Sequence, residues 1–276
     1  MRKLILFVCM MFSFCLSLWS QTYDERINRA MNAIERDSLH LAEQFLKDAL
    51  NADPANMKNA LLLSNLGTIQ RRMGKNMDAI ESYTLAINKI PFSVTILLNR
   101  ASLYLEMDNL EKAYSDYCNV IDLDKKNKEA LQFRAYIYMR RRQYNEARAD
   151  YRTILEAEPT NKTARIGMIM ANQKDKRYKE ALESLNLLIT EYPKDVSLWK
   201  ARAEIEMETN ALDLALLDLE KAAKIAPNDT DIYVMCGDIY MEQGKKREAY
   251  VAYEKAIELG VPRPKLQDRL KASKKR

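Results

Sequence analysis

Glycine, proline and histidine are scarce in this sequence. Its 276 residues include six glycines, seven prolines and a single histidine, His40. So few glycines and prolines leave little material for the tight turns of a β-sandwich or for glycine-rich phosphate-binding loops. One histidine and four cysteines also leave few residues for metal coordination or for a nucleophile activated by histidine. These shortages favour helices and argue against most classes of enzyme.

The charge and hydrophobicity are those of an ordinary globular chain. Charged residues make up 30% of the sequence and hydrophobic residues 47%, which is enough apolar material to bury a core. The formal net charge of +5 is concentrated at the C-terminus, because the last fourteen residues carry +6 while residues 21–262 sum to −3. The body of the chain therefore lacks the basic surface of a nucleic-acid-binding protein, and we expect no nucleic-acid partner.

The first twenty residues differ from the rest of the chain. After Arg2 and Lys3, an apolar stretch broken by two serines runs from Leu4 to Trp19. A short basic segment followed by such a stretch is typical of a secretory signal peptide. The stretch is shorter than the roughly 20 residues that a membrane-spanning helix needs. We therefore predict a signal peptide over residues 1–20 and an exported protein, periplasmic or associated with the cell envelope, with an uncleaved membrane anchor as the alternative.

One alanine recurs along the rest of the chain at nearly constant spacing. Its intervals are 37 residues and then 34 residues five times. A large apolar residue follows each of these alanines after four residues, a small residue precedes six of the seven by twelve, and a proline follows five of them after twelve. The recurring residues are Ala42, Ala79, Ala113, Ala147, Ala181, Ala215 and Ala249. Self-similarity at this period indicates a repeat architecture.

The fourth repeat shows what the spacing builds. Leu131, Ala135 and Tyr138 fall on one helical face, and Ala147 and Tyr151 fall on a second. The small residues suit places where two helix backbones come close, and a proline after the second stripe ends that helix. Each repeat is therefore predicted to be a helix, a short turn and a second helix.

The pattern resembles that of the tetratricopeptide repeat family, in which a small residue, an alanine, an aromatic residue or leucine, and a proline recur in this order every 34 residues. The resemblance implies an all-α fold, namely a right-handed α-solenoid of about seven helix-turn-helix units with a C-terminal capping helix. The expected organisation is a signal peptide over 1–20, an array over 21–263, and a capping helix with a basic tail over 264–276. The seven units of the array are 23–56, 60–93, 94–127, 128–161, 162–195, 196–229 and 230–263.

The segment after Pro264 is predicted to close the array. Leu266 and Leu270 lie four residues apart, as they would on the apolar side of one amphipathic helix. A solenoid must cover its last apolar face, and this helix would do so. We expect membrane contact only through the basic tail that follows or through an uncleaved N-terminus.

Two cysteines remain once residues 1–20 are removed. Cys118 lies in the third unit and Cys236 in the seventh. A disulfide requires Cα atoms within about 7 Å, and repeats so far apart in a linear stack do not approach that closely. No disulfide is expected.

The resemblance also implies a binding surface. In this family the first helix of each pair lines a concave face, and certain positions of that helix point into the groove. The residues predicted on this basis to bind a partner are Leu98, Ser102, Gln132, Tyr136, Met139, Ile166, Met170, Lys200 and Glu204. Tyrosine and methionine suit a surface that holds a peptide or a helix. The other interpretation is that these side chains pack neighbouring first helices together, which is preferred for Ile166 and Met170 and is equally favoured for Tyr136.

The compact signal peptide and the lack of disulfides favour a bacterial protein, so we expect a non-enzymatic scaffold or adaptor for protein–protein interaction in the bacterial cell envelope, with no catalytic residue, cofactor or metal. Its partner would be a protein or a peptide segment in the concave groove. The alternative is a periplasmic carrier that binds a glycan or small solute in the groove, where Tyr136 and Trp199 could stack on a sugar. Carboxylates such as Glu204 and Asp238 fall on separate units with no histidine beside them, which argues against catalysis.

Overall fold

A computed structural model describes residues 22–274. In this range the chain folds into fifteen α-helices and no strand, and the predicted all-α class is confirmed. The helices are α1 (Tyr23–Glu35), α2 (Leu39–Ala52), α3 (Asn59–Arg72), α4 (Asn76–Lys89), α5 (Val94–Glu106), α6 (Leu110–Leu123), α7 (Lys128–Arg140), α8 (Tyr144–Ala157), α9 (Lys162–Lys174), α10 (Tyr178–Glu191), α11 (Val196–Glu208), α12 (Leu212–Ile225), α13 (Thr230–Glu242), α14 (Lys246–Glu258) and α15 (Arg263–Lys274). The signal peptide predicted for residues 1–20 lies outside the described residues.

The helices form two compact units, 22–137 and 138–274, and the boundary between them falls within α7. In the first unit, α1–α2, α3–α4 and α5–α6 are helical hairpins, and each packs on the next. In the second unit, α8 packs on α9, the hairpins α9–α10, α11–α12 and α13–α14 each pack on the next, and α15 packs on α14. We call the odd-numbered helices α1 to α13 the A helices and the even-numbered helices α2 to α14 the B helices. Consecutive hairpins within each unit stack as a solenoid, as the 34-residue period predicts.

A residue in the left-handed region of backbone space ends every A helix. Positive φ angles recur with the spacing of the repeat, at Asp37, Gly74, Asp108, Arg142, Lys176, Asn210 and Gly244. The N–H of the following residue then donates to a carbonyl five residues earlier, as Arg177 N–H does to Asn172 O at 2.8 Å. This hydrogen bond satisfies a carbonyl that the helix end would leave open. Five of the seven residues carry a Cβ, which the left-handed conformation disfavours.

Replacing Lys176 by glycine is expected to raise the free energy of unfolding by about 1 kcal/mol, because φ at this exposed residue is 60°. Urea denaturation followed by circular dichroism measures the change. Lys174→Gly is the matched control, since Lys174 is the last residue of α9 and glycine within a helix costs up to about 1 kcal/mol. The two substitutions should shift stability in opposite directions, and a loss of stability in both would contradict the backbone argument.

The recurring alanines lie where the helices cross. All seven are 0% exposed. A large side chain four residues later fills the adjacent space, and the fit is tight where that side chain is tyrosine. A Cβ on Gly67 would lie 2.8 Å from the ring of Tyr83, and a Cβ on Gly237 would overlap the ring of Tyr253. Glycine at these two places is therefore required by packing.

Ile169 is the one residue that breaks the small-residue pattern, and the structure shows why a larger side chain fits. Its hairpin carries Leu185 in place of tyrosine, and Ile169 is buried beside it. A glycine two residues earlier meets the preceding B helix instead, because a Cβ on Gly167 would overlap the ring of Tyr151. In α9 the small residue that allows a close helix contact is therefore Gly167, and the contact is with α8 rather than with α10.

The last helix covers the end of the second unit. Leu266 and Leu270 are 2% and 5% exposed and pack against Tyr253 and Ala256 of α14. This arrangement matches the capping helix that the spacing of the two leucines predicts. Cys118 in the first unit and Cys236 in the second are both free thiols.

Candidate functional site

Four of the predicted partner-binding residues lie on A helices of the first unit. Leu98 and Ser102 lie on α5, and Gln132 and Tyr136 lie on α7. Tyr136 is 42% exposed, whereas the other three are partly buried. An exposed tyrosine offers both apolar area and a hydrogen-bonding hydroxyl to a partner. Tyr136 is therefore the most accessible of the four.

Ser102 belongs to a polar network that sequence reasoning missed. Its Oγ accepts a hydrogen bond from an Arg71 guanidinium N–H at 3.0 Å, and Arg71 also donates through Nε to Glu106 at 3.0 Å. These contacts join α3 to α5 across the hairpin boundary. The 35-residue separation of Arg71 and Glu106, close to one repeat, is the sequence signal that could have revealed the pair.

The other five predicted residues lie in the second unit. Met170 is 50% exposed, and Glu204 is also exposed. Met139 is partly buried. Ile166 packs against the buried cluster that contains Leu185, Leu188 and Leu198. The structure therefore leaves Met170 and Glu204 accessible and gives Ile166 the packing role that was preferred for it.

Lys200 is not a free cation, because two carboxylates hold it. Its Nζ lies 2.9 Å from Asp229 Oδ2 and 3.3 Å from Asp231 Oδ2. Burial lowers the pKa of the Lys200 ammonium, but the bonds to the two aspartates outweigh burial and raise it overall. Asp229 also caps α13, since its side chain accepts from Asp231 N–H. Lys200 therefore ties α11 to the start of α13.

Two acidic residues of the last A helices, Asp238 and Glu208, also have hydrogen-bond partners. Asp238 accepts a hydrogen bond from the Tyr253 hydroxyl at 2.8 Å and two from the Arg269 guanidinium at 2.7 and 3.0 Å. Glu208 accepts from the Gln173 amide at 3.0 Å. These bonds hold neighbouring hairpins and α15 together. A partner that approached this part of the second unit would meet carboxylates that already have hydrogen-bond partners.

A buried acid lies behind this surface, in α11. Glu206 is 8% exposed, and its Oε2 has no hydrogen-bond partner. Burial raises the pKa of the Glu206 carboxyl to about 7, and the negative charge of Asp218 raises it further against the opposing effect of Arg202. The Arg202 guanidinium donates its hydrogen bonds to other residues, namely to Asp218 Oδ2 at 2.6 Å and to Asn186 Oδ1 at 2.6 Å. Glu206 therefore changes charge near neutral pH.

The sugar-stacking role considered for Trp199 competes with contacts inside the fold. Its indole N–H donates to the carbonyl of Pro193 at 2.9 Å, and the Arg202 guanidinium lies 5.1 Å from the ring centroid. At least one face of this ring is thus occupied by a cation. Within residues 22–274 no group of three or more metal-ligating side chains occurs, and none of the helices there has both the length and the hydrophobicity of a membrane-spanning segment.

Comparison with known proteins gives consistent matches. Models described as tetratricopeptide repeat match residues 138–205 and residues 94–127 and 230–259. A crystal structure of a tetratricopeptide repeat protein from Parabacteroides merdae is 34% identical, has a TM-score of 0.70, and is matched over 93% of this chain and 100% of that one. YrrB, a tetratricopeptide repeat protein with an unusual peptide-binding site, is 22% identical with a TM-score of 0.53, over 71% of this chain and all of its own.

A curated relative matches over a shorter stretch. The human DnaJ homolog subfamily C member 7 is 34% identical over 94 residues, which make up 34% of this chain and 19% of that protein. The match spans about a fifth of the relative's length and about the length of three repeats. The likeness is therefore one of repeats and not of whole proteins.

Proposed function

This chain belongs to the tetratricopeptide repeat family, and from that premise we propose that it is a non-enzymatic scaffold of the bacterial cell envelope that binds a peptide or protein segment on its A helices. Tetratricopeptide repeats are built as protein-interaction scaffolds, which supports a protein partner. The observation that supports the proposal is the exposure, in each unit, of a large apolar side chain that was predicted to line the groove. Tyr136 and Met170 are 42% and 50% exposed although apolar area gains by burial.

The chemistry of this surface suits a peptide more than a small solute. Tyrosine and methionine provide adaptable apolar contacts, and exposed Glu204 adds a charge at the repeat position equivalent to Met170, on the next A helix. Ser102 and Lys200 already have hydrogen-bond partners within the protein. They would therefore contact a partner mainly by their shape and would offer it few free hydrogen-bonding groups. The partner would therefore be held by apolar side chains, with polar groups setting its orientation.

Photo-crosslinking in envelope fractions tests the proposed surface. We expect Met170→Glu to weaken capture of the partner by about tenfold or more, because a charge replaces an apolar contact at a hot spot. Leu187→Glu is the matched control, since Leu187 lies on B helix α10 of the same unit and is 62% exposed. Equal capture by both variants, or a loss confined to Leu187→Glu, would show that the A helices do not form the binding surface.

Export is proposed from the N-terminal sequence. The basic residues and the apolar stretch of residues 1–20 support recognition as a signal peptide. Mass spectrometry of the protein recovered from cells should find Gln21 at the new N-terminus. A periplasmic protein that keeps residues 1–20 would favour the uncleaved anchor, and a cytoplasmic protein would contradict export.

A further inference from the structure

One ion pair recurs between the helices of a hairpin. In α5–α6, Arg100 donates two hydrogen bonds to Asp116, both at 2.8 Å. In α11–α12, Arg202 donates two to Asp218, both at 2.6 Å. The two arginines are 102 residues apart, which is three repeats. The four side chains are largely buried, so each pair fills space between its two helices.

Two hairpins of the second unit lack this pair. At the same repeat positions, α9–α10 has Met168 and Ser184, and α13–α14 has Cys236 and Ala252. A cleft lies at each of these places, and the residues that replace arginine and aspartate are part of its lining. The cleft at α13–α14 is the larger, with a volume of about 550 Å³. Cysteine and alanine are much smaller than arginine and aspartate, which accounts for the open space.

The cleft in α13–α14 has an apolar floor with two aromatic rings. It is lined by Tyr233, Cys236, Tyr240, Val251 and Ala252. The Tyr233 hydroxyl donates to the Pro227 carbonyl at 2.8 Å, which fixes that ring. Burial raises the pKa of the Cys236 thiol to about 11 and also raises that of Tyr240, so the floor carries no charge at neutral pH. The volume and the lining are those of a pocket for a small apolar group.

The rim of the cleft carries more positive than negative charge. Arg247, Lys255 and Glu248 are part of the lining, and all three are exposed. Lys255 also pairs with Glu258 at 3.2 Å. Among residues 22–274, no ion pair or side-chain hydrogen bond involves Arg247. A carboxylate of an approaching partner would pair with this guanidinium, whereas a cation would be repelled by it.

The other hairpins show what shape the space accepts. In α5–α6 the guanidinium of Arg100 occupies this space and lies 5.8 Å from the centroid of the Tyr104 ring. In α11–α12 the guanidinium of Arg202 does so and lies 5.1 Å from the centroid of the Trp199 ring. Tyr240 and Tyr233 stand at the corresponding positions of α13. Without the aspartate, a guanidinium would have no carboxylate to pair with inside the cleft. A flat uncharged ring fits the same space and matches the apolar floor.

We propose that the α13–α14 cleft binds an aromatic side chain of a partner peptide in which a neighbouring carboxylate pairs with Arg247. Apolar surface continues beside the cleft, where Val251 and Leu217 occupy the same repeat position of α14 and α12 and are 62% and 56% exposed. The site is thus a second interaction surface, formed with a B helix. It does not depend on partner binding at the A helices.

The probe is acetyl-Asp-(4-fluoro)Phe-Asp-amide, titrated with the protein lacking residues 1–20 and observed by fluorine NMR. We expect a dissociation constant on the order of 1 mM, as befits one ring and one ion pair. The double variant Cys236→Arg/Ala252→Asp restores the recurring ion pair and should weaken binding by about tenfold or more. Arg247→Ala should weaken it several-fold, whereas Lys179→Ala, at the same repeat position of α10, should leave it unchanged.

Two further measurements make the outcome decisive. The corresponding peptide with lysines in place of the aspartates should bind at least about fivefold more weakly, since its charges face Arg247 and Lys255. If circular dichroism shows that the double variant does not fold, Val251→Asp on the exposed rim replaces it and should also reduce binding. The proposal is overturned if the aspartate peptide binds the wild type and the Cys236→Arg/Ala252→Asp or Val251→Asp variant equally well. It is also overturned if the aspartate and lysine peptides bind the wild type equally well.

Discussion

Replacing Tyr151 by alanine is expected to lower the free energy of unfolding by about 3–5 kcal/mol. Tyr151 is 7% exposed, and its ring lies against Gly167 of the next hairpin. Removing the ring leaves a cavity between α8 and α9 that these helices do not close without moving. Burial raises the pKa of the Tyr151 hydroxyl to about 12, consistent with a ring held inside the fold. Urea denaturation monitored by circular dichroism measures the loss.

Tyr136→Ala is the matched control for this substitution. Both residues are tyrosines at helical positions, but Tyr136 is 42% exposed and should cost less than about 1 kcal/mol on truncation. Under the proposed function, Tyr136→Ala should weaken partner capture without changing the melting temperature. Similar destabilisation by the two variants would mean that Tyr136 is part of the core, and the candidate surface on α7 would have to be abandoned.

Replacing Glu206 by glutamine is expected to stabilise the protein by about 2–3 kcal/mol at pH 9 and to have little effect at pH 4. The carboxyl has a pKa of about 7 in the fold, raised from 4.5, because burial and Asp218 disfavour its charged form. Between pH 4.5 and 7 the folded state holds a proton that the unfolded state has released. Wild-type stability should therefore fall as pH rises through this window and level off above it.

Urea titrations at several pH values test this expectation. Glu206→Gln stays neutral, so its stability should lack the decline that the wild type shows between pH 4.5 and 7. Glu204→Gln is the control, because Glu204 is exposed on the same helix and should keep the wild-type profile. A wild-type profile that is flat across this window, or a Glu206→Gln variant that keeps the decline, would refute the burial argument.

The helices could be predicted closely because repetition multiplies a weak local signal. Ala147 alone does not predict a hairpin, but seven alanines at regular spacing mark the same position in each of seven hairpins. All of them are fully buried. The same register explains the turns, since the left-handed residues recur with the repeat. That regularity was hidden in the sequence because aspartate, arginine, lysine, asparagine and glycine share the position.

The candidate site could be predicted only as a set of positions. The family pattern indicates which residues of an A helix face outward, but not what each side chain bonds to. Lys200 is neutralised by Asp229 and Asp231, and Ser102 is held by Arg71. These partners lie about one repeat away, so neither is visible from local spacing. Tyr136 and Met170, in contrast, keep 42% and 50% of their surface exposed.

The sequence by itself determined the class of fold, the hairpin repeat and the capping leucines, because each depends on a periodicity that one helix imposes on its own residues. Only the tertiary structure decided which polar groups are free and where space remains. Glu206 is buried beside Asp218, and Cys236 opens a cleft where Arg202 closes one in the preceding hairpin. Such outcomes depend on which side chains meet across neighbouring helices, and their solvation and volume are set only when those helices pack.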